Sequence, residues 1–88
     1  MPLTAETRKP ARLKLLMMLH VVHPLGLGLE NLTRGLQTAQ YDVVEKDVES
    51  ELAALEEGGL VKMKTDALDE TLKLWTRTEK ARVMLAQI

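Results

Sequence analysis

Apolar residues recur at two different periods along the chain, and the change of period divides it into elements. From Pro10 to about Val22 the spacing is helical. Leu13, Leu16, Met17 and His20 mark one face, Leu15, Leu19 and Val22 a neighbouring one, and Met18 and Val21 widen it. Pro10 suits a first helical turn, where its missing N–H costs nothing. Pro24 disfavours helical geometry at His23. A first helix is therefore predicted over 10–22. It is apolar around most of its circumference, which marks a helix buried on two sides. One side is expected on the domain's own core. The other, through Leu15, Met18, Leu19, Val22 and the last helix, is expected to meet a second copy of the chain in a homodimer.

A turn containing Gly26 and Gly28 follows. Leu29, Leu32 and Leu36 then predict a second helix from Leu29 to about Thr38, weakened by Gly35. Val44, Val48, Leu52 and Leu55 line one face of a third. Asp42 with Glu45 three residues on fits a capping box at its start, and Gly58 or Gly59 supplies the left-handed residue that ends it.

Beyond Leu60 the period falls to two. Val61 and Met63 alternate with Lys62 and Lys64, and Leu72 and Leu74 alternate with Lys73, Trp75 and Arg77. Residues 66–70 between these runs have turn composition, so a two-stranded hairpin is predicted, with the lysines, Trp75 and Arg77 facing outward. Thr76 or Thr78 caps a last helix containing Val83, Met84, Leu85 and Ile88.

The 88 residues amount to one small domain. Apolar residues make up 45 % of it, and Tyr41 and Trp75 are the only aromatics, so the core must be built from Leu, Val, Met and Ala. There is no cysteine, which excludes disulfides, cysteine-based zinc sites and thiol catalysis. The longest apolar run is too short to span a bilayer. The basic Arg8-Lys9 pair and the run after it lack a small-residue cleavage site. A soluble cytoplasmic protein without membrane attachment is expected.

Net charge is −1, but it is segregated. Residues 1–24 set Glu6 against Arg8, Lys9, Arg12 and Lys14. Residues 42–57 set seven acids (Asp42, Glu45, Asp47, Glu49, Glu51, Glu56 and Glu57) against Lys46 alone. Residues 1–9 are polar and are expected to form a flexible basic arm ahead of a domain over 10–88.

The order helix, helix, helix, hairpin, helix, with the run Leu52-x-x-Leu55-Glu56-Glu57-x-Gly59-Leu60-Val61, resembles the winged helix-turn-helix superfamily. In style it is similar to bacterial repressors of the arsenic-responsive and multiple-antibiotic-resistance types and to small phage-encoded relatives. Thr78-Glu79-Lys80-Ala81-Arg82 resembles the Thr-x-x-Gly-Arg segment after the wing, with Ala81 where glycine is common. The resemblance covers residues 10–88. It implies a mainly α (α+β) fold: a three-helix core, a two-stranded β-hairpin wing and a C-terminal helix. It also implies a DNA-binding transcriptional regulator whose recognition helix is the third. The matching exposed positions are Asp47, Glu49, Ser50 and Ala53, with Lys46 nearby. Asp47 and Glu49 stand where such helices usually offer basic or small polar residues, and duplex DNA carries a charge every ~1.7 Å of axis.

Two surfaces therefore compete. Lys62, Lys64, Lys73, Trp75 and Arg77 on the wing, with Lys46, Ser50, Arg8, Lys9 and Arg12, make a DNA-binding set that contacts phosphate mainly through wing and arm. The bland reading of the wing cations is protection of a sheet edge. Asp42, Glu45, Asp47 and Glu49 make an acidic face suited to a protein partner, or simply a solvated helix exterior favoured by the helix dipole. His20 and His23 have metal-ligand spacing but need a third ligand from oxygen donors, so no metal is assigned. No phosphate loop, nucleophile elbow or acid–base pair appears, and neither enzymatic activity nor a cofactor is expected.

Overall fold

The computed structural model describes residues 2–88 and contains four helices and one sheet. α1 (Arg8–Val22) and α2 (Leu29–Thr38) flank a two-residue strand, β1 (Leu27–Gly28). α3 (Glu45–Glu57) leads into β2 (Val61–Thr65) and β3 (Lys73–Arg77), and α4 (Glu79–Ala86) closes the chain. The antiparallel sheet has three strands in the order β1-β3-β2, where two were expected. The added strand lies in the glycine turn. A Cβ on Gly26 would lie 2.8 Å from the Trp75 carbonyl oxygen, so the missing side chain lets this segment run against β3. Leu27 pairs with Trp75 and Gly28 with Leu74.

The second helix has the predicted bounds. It ends with Gln40 at φ 73° while the Tyr41 N–H donates to the Leu36 carbonyl at 3.0 Å. α3 ends the same way. Gly59 has φ 76°, Leu60 N–H donates to Leu55 O and Gly59 N–H to Glu56 O, both at 2.9 Å, a Schellman closure. Its start differs from expectation. The N-cap is Val44, and the Asp47 carboxylate accepts the Val44 N–H at 3.0 Å, the role assigned to the Asp42–Glu45 pair. Of the two candidate caps for α4, Thr78 serves, accepting from Ala81 N–H. Arg82 donates to Glu79 one turn on, which holds the Glu79 carboxyl below the ordinary carboxylate range.

The core is aliphatic: Leu15, Leu16 and Leu19 of α1, Leu32 and Leu36 of α2, Val48, Leu52 and Leu55 of α3, with Val43, Val61 and Ala81. Two sequence expectations are corrected here. Leu15 and Leu19 are fully buried within this core, so neither is a surface for a second copy, and the Met18 thioether lies over Gly35 of α2. Trp75 belongs to the same core and does not face outward.

Candidate nucleic-acid interface

α3 carries its apolar anchors Val48, Leu52 and Leu55 inward, which leaves Lys46, Asp47, Glu49, Ser50 and Ala53 exposed. The wing follows at once, because the Gly59 reversal feeds Leu60 and Val61 directly into β2. Helix and wing are thus adjacent in the way the resemblance implies.

The wing does not present one cationic face around an indole. β2–β3 register pairs Val61 with Arg77, Lys62 with Thr76, Met63 with Trp75, Lys64 with Leu74 and Thr65 with Lys73. Paired residues share a face and neighbours along a strand alternate. Lys62 and Lys64 therefore lie with Leu74 and Thr76, whereas Lys73 and Arg77 lie on the opposite face with Trp75, which is 7 % exposed. Arg77 is half-buried, and its Nε is enclosed without a hydrogen-bond partner. Lys62, Lys64 and Lys73 are exposed. The hairpin tip is acidic. The Asp66 carboxylate accepts Leu68 N–H at 2.7 Å. The Asp69 carboxylate accepts both the Thr71 hydroxyl, at 2.6 Å, and the Thr71 N–H, at 3.0 Å. Those two bonds hold Asp69 below the ordinary carboxylate range.

A groove of about 420 Å³ separates the start of α2, α3 and β3. Glu30, Glu45 and Glu49 line it opposite Lys73, over the edges of Leu72 and Trp75. Glu30 is ion-paired with Arg34 at 2.8 Å, so the acidic character of this cleft between α3 and the wing rests on Glu45 and Glu49, and Asp42 lies exposed just ahead of α3.

The basic arm is not a separate feature. α1 begins at Arg8, ahead of Pro10, after a turn in which Thr7 Oγ1 accepts Thr4 N–H at 2.8 Å. Arg8 Nε lies 2.8 Å from one oxygen of Glu51, and Arg12 donates to the other from Nε at 3.1 Å and Nη2 at 2.9 Å. Among the described residues of this segment, Lys9 and Lys14 stay exposed without an ion pair. Glu51 is the functional candidate that sequence reading passed over. It lies among seven acids, and only its place between Val48, Leu52 and Leu55 on the inner side of α3 marks it off. Among the described residues, no group of three or more His, Cys, Asp or Glu is placed to hold a metal ion, and no helix is long and apolar enough to cross a membrane.

Three helices ahead of a hairpin, with α3 exposed beside it, define a winged helix-turn-helix. Solved structures similar to this chain include a MarR family member and two structures that hold DNA. The zinc-responsive MarR family member ZitR of Lactococcus lactis superposes with a TM-score of 0.72 at 24 % identity, over 96 % of this chain and 49 % of that one. The transcriptional repressor CouR, bound to a 23-mer DNA duplex, gives 0.75 at 23 % identity over 89 % and 50 %. FabT of Streptococcus pneumoniae in complex with DNA gives 0.70 at 14 % identity over 89 % and 49 %. The chain spans about half the length of these structures, and at such identities the likeness establishes the fold. No family model and no curated protein matches the sequence.

Proposed function

We propose that this chain is a non-enzymatic winged-helix regulator of transcription, acting in the cytoplasm as a homodimer on double-stranded DNA. The observation that carries the reading is the fold itself, shared with two structures that hold DNA. The exposed cations select the contacts. Lys62 and Lys64 on one wing face, Lys73 near the tip and Lys46 with Ser50 on α3 are open to phosphate. Lys9 adds a charge at the start of α1. Arg8 and Arg12 contribute only at the expense of Glu51, and Trp75 contributes by packing beneath the wing.

The acidic cleft supports a second reading. Glu45 and Glu49 repel a phosphate backbone at the place where a recognition helix would enter a groove. With Asp42 and Asp47 they suit a basic protein segment, in which case α3 docks a partner and DNA is not bound.

Fluorescence anisotropy on a random-sequence duplex at low and moderate salt separates the two. The DNA reading expects micromolar binding that weakens steeply with salt, and a K62E/K64E double variant that weakens it on every sequence while lowering the salt slope by about 2. Absence of binding at low salt, or a variant with unchanged affinity, rejects it in favour of the protein-docking surface.

A further inference from the structure

Glu51 is 5 % exposed although it lies on a helix whose other acids are solvated. Both its oxygens are occupied, one by Arg8 and the other twice by Arg12. A carboxylate buried to that degree persists because it is paired, and loss of its partners leaves an uncompensated charge. The pairing reaches 39 positions back along the sequence. It also joins two elements that otherwise approach each other little. α1 packs chiefly on α2, β3 and α4, while α3 packs on α2 and β2. The two arginines are therefore the principal polar tie between the start of α1 and the middle of α3.

Around this tie lies a cavity of about 310 Å³ whose lining includes Arg8, Arg12, Glu51, Asp47 and Ser50. Asp47 caps the start of α3, and Ser50 is one of its outward positions. The buried pair and the working surface of the helix are thus walls of one small space.

We infer that Arg8, Arg12 and Glu51 form an ionic latch by which α1 sets the orientation and local rigidity of α3, with Glu51 as a positioning residue. The latch restrains the helix rotation that the aliphatic contacts of Val48, Leu52 and Leu55 leave free, because those contacts are non-directional while a doubly bridged carboxylate is directional. Releasing it loosens α3 without unfolding the domain. The inference rests on the proposed function only in treating α3 as the working helix, so its test needs no DNA.

The test is amide hydrogen exchange, resolved by element, on the full chain and three variants: E51Q, the R8Q/R12Q pair and the triple combination. In E51Q and in R8Q/R12Q, exchange over residues 45–57 is expected to quicken at least tenfold relative to the α2 and β3 amides. The triple variant is expected to go no further than E51Q alone, because all three changes break one interaction. Unchanged α3 protection overturns the latch. So does an equal loss of protection in every element, or additive effects in the triple variant. If E51Q or R8Q/R12Q fails to fold, the triple variant carries the test, since it leaves no buried unpaired carboxylate and both arginine side chains are at least one-third exposed. A latch that passes beside a wild-type chain that ignores DNA rejects the DNA reading alone.

Discussion

Trp75 is the one indole of the chain, and it sits beneath the wing with Leu27 beside it on one strand and Met63 on the other. It therefore reports on the core and not on a ligand. Its emission is expected at short wavelength, protected from iodide and unmoved by DNA, shifting red only as the domain unfolds. W75A is expected to cost about 3–5 kcal/mol in urea denaturation. A red-shifted, readily quenched native spectrum would place the indole outside after all. The inward turn of Trp75 was not legible in the sequence, because both phases of the Leu72–Arg77 run carry apolar residues, Leu72 and Leu74 in one and Trp75 in the other. The choice is made by pairing with β1 and by the helices packed on that side, and neither is local. Glu51 was hidden for the same reason: its place on the inner side of α3 could be read from Val48, Leu52 and Leu55, but the partners that hold a charge there precede it by some forty positions.

Helix bounds were more readable than strand faces. Leu29, Leu32 and Leu36 repeat at the helical period and stop where Gln40 turns left-handed, so α2 follows its sequence pattern from end to end. The glycine stop of α3 followed its pattern as well. Its start did not, because Asp47 can reach back to the Val44 N–H and so moves the cap two residues beyond Asp42. The start of α4 shows how one side chain can serve two elements. The Thr78 hydroxyl accepts from Ala81 N–H and donates to the Gly59 carbonyl at 2.6 Å. T78A is expected to lose about 1–2 kcal/mol, at the upper end of the range for a cap, because the turn after α3 loses its bond as well. T78S should retain most of the stability. Equal losses in T78A and T78S, measured by urea denaturation, would show that the hydroxyl bonds contribute little.

At the scale of the whole molecule, the described residues leave apolar surface uncovered along α1 and α4. Between α1 and α4 runs a groove of about 420 Å³ lined by Leu13, Met17, Val21, Leu85 and Ile88, with Met17 52 %, Val21 81 % and Ile88 78 % exposed. A surface of that kind suits association, and in the proposed homodimer it would stand in for Leu15 and Leu19, which are buried. Sedimentation velocity is expected to show a dimer that M17E/V21E converts to a folded monomer; a wild-type monomer at high concentration would remove the homodimer from the proposal. A different consequence follows from the base of the hairpin. Thr78 N–H donates to Leu60 O, the Thr78 hydroxyl to Gly59 O, and Lys80 Nζ to Gly58 O at 2.8 Å. These bonds tie together the two ends of a segment 19 positions long, independently of what lies at its tip. The wing is in effect a cassette closed at its root: residues can be inserted, deleted or exchanged around 66–71 at little cost to the helices, since lengthening a closed loop costs only ~0.6 kcal/mol per doubling. The acidic tip is thereby the part of the protein freest to change its chemistry, and grafting a basic tip onto this body would convert its reach without rebuilding its core.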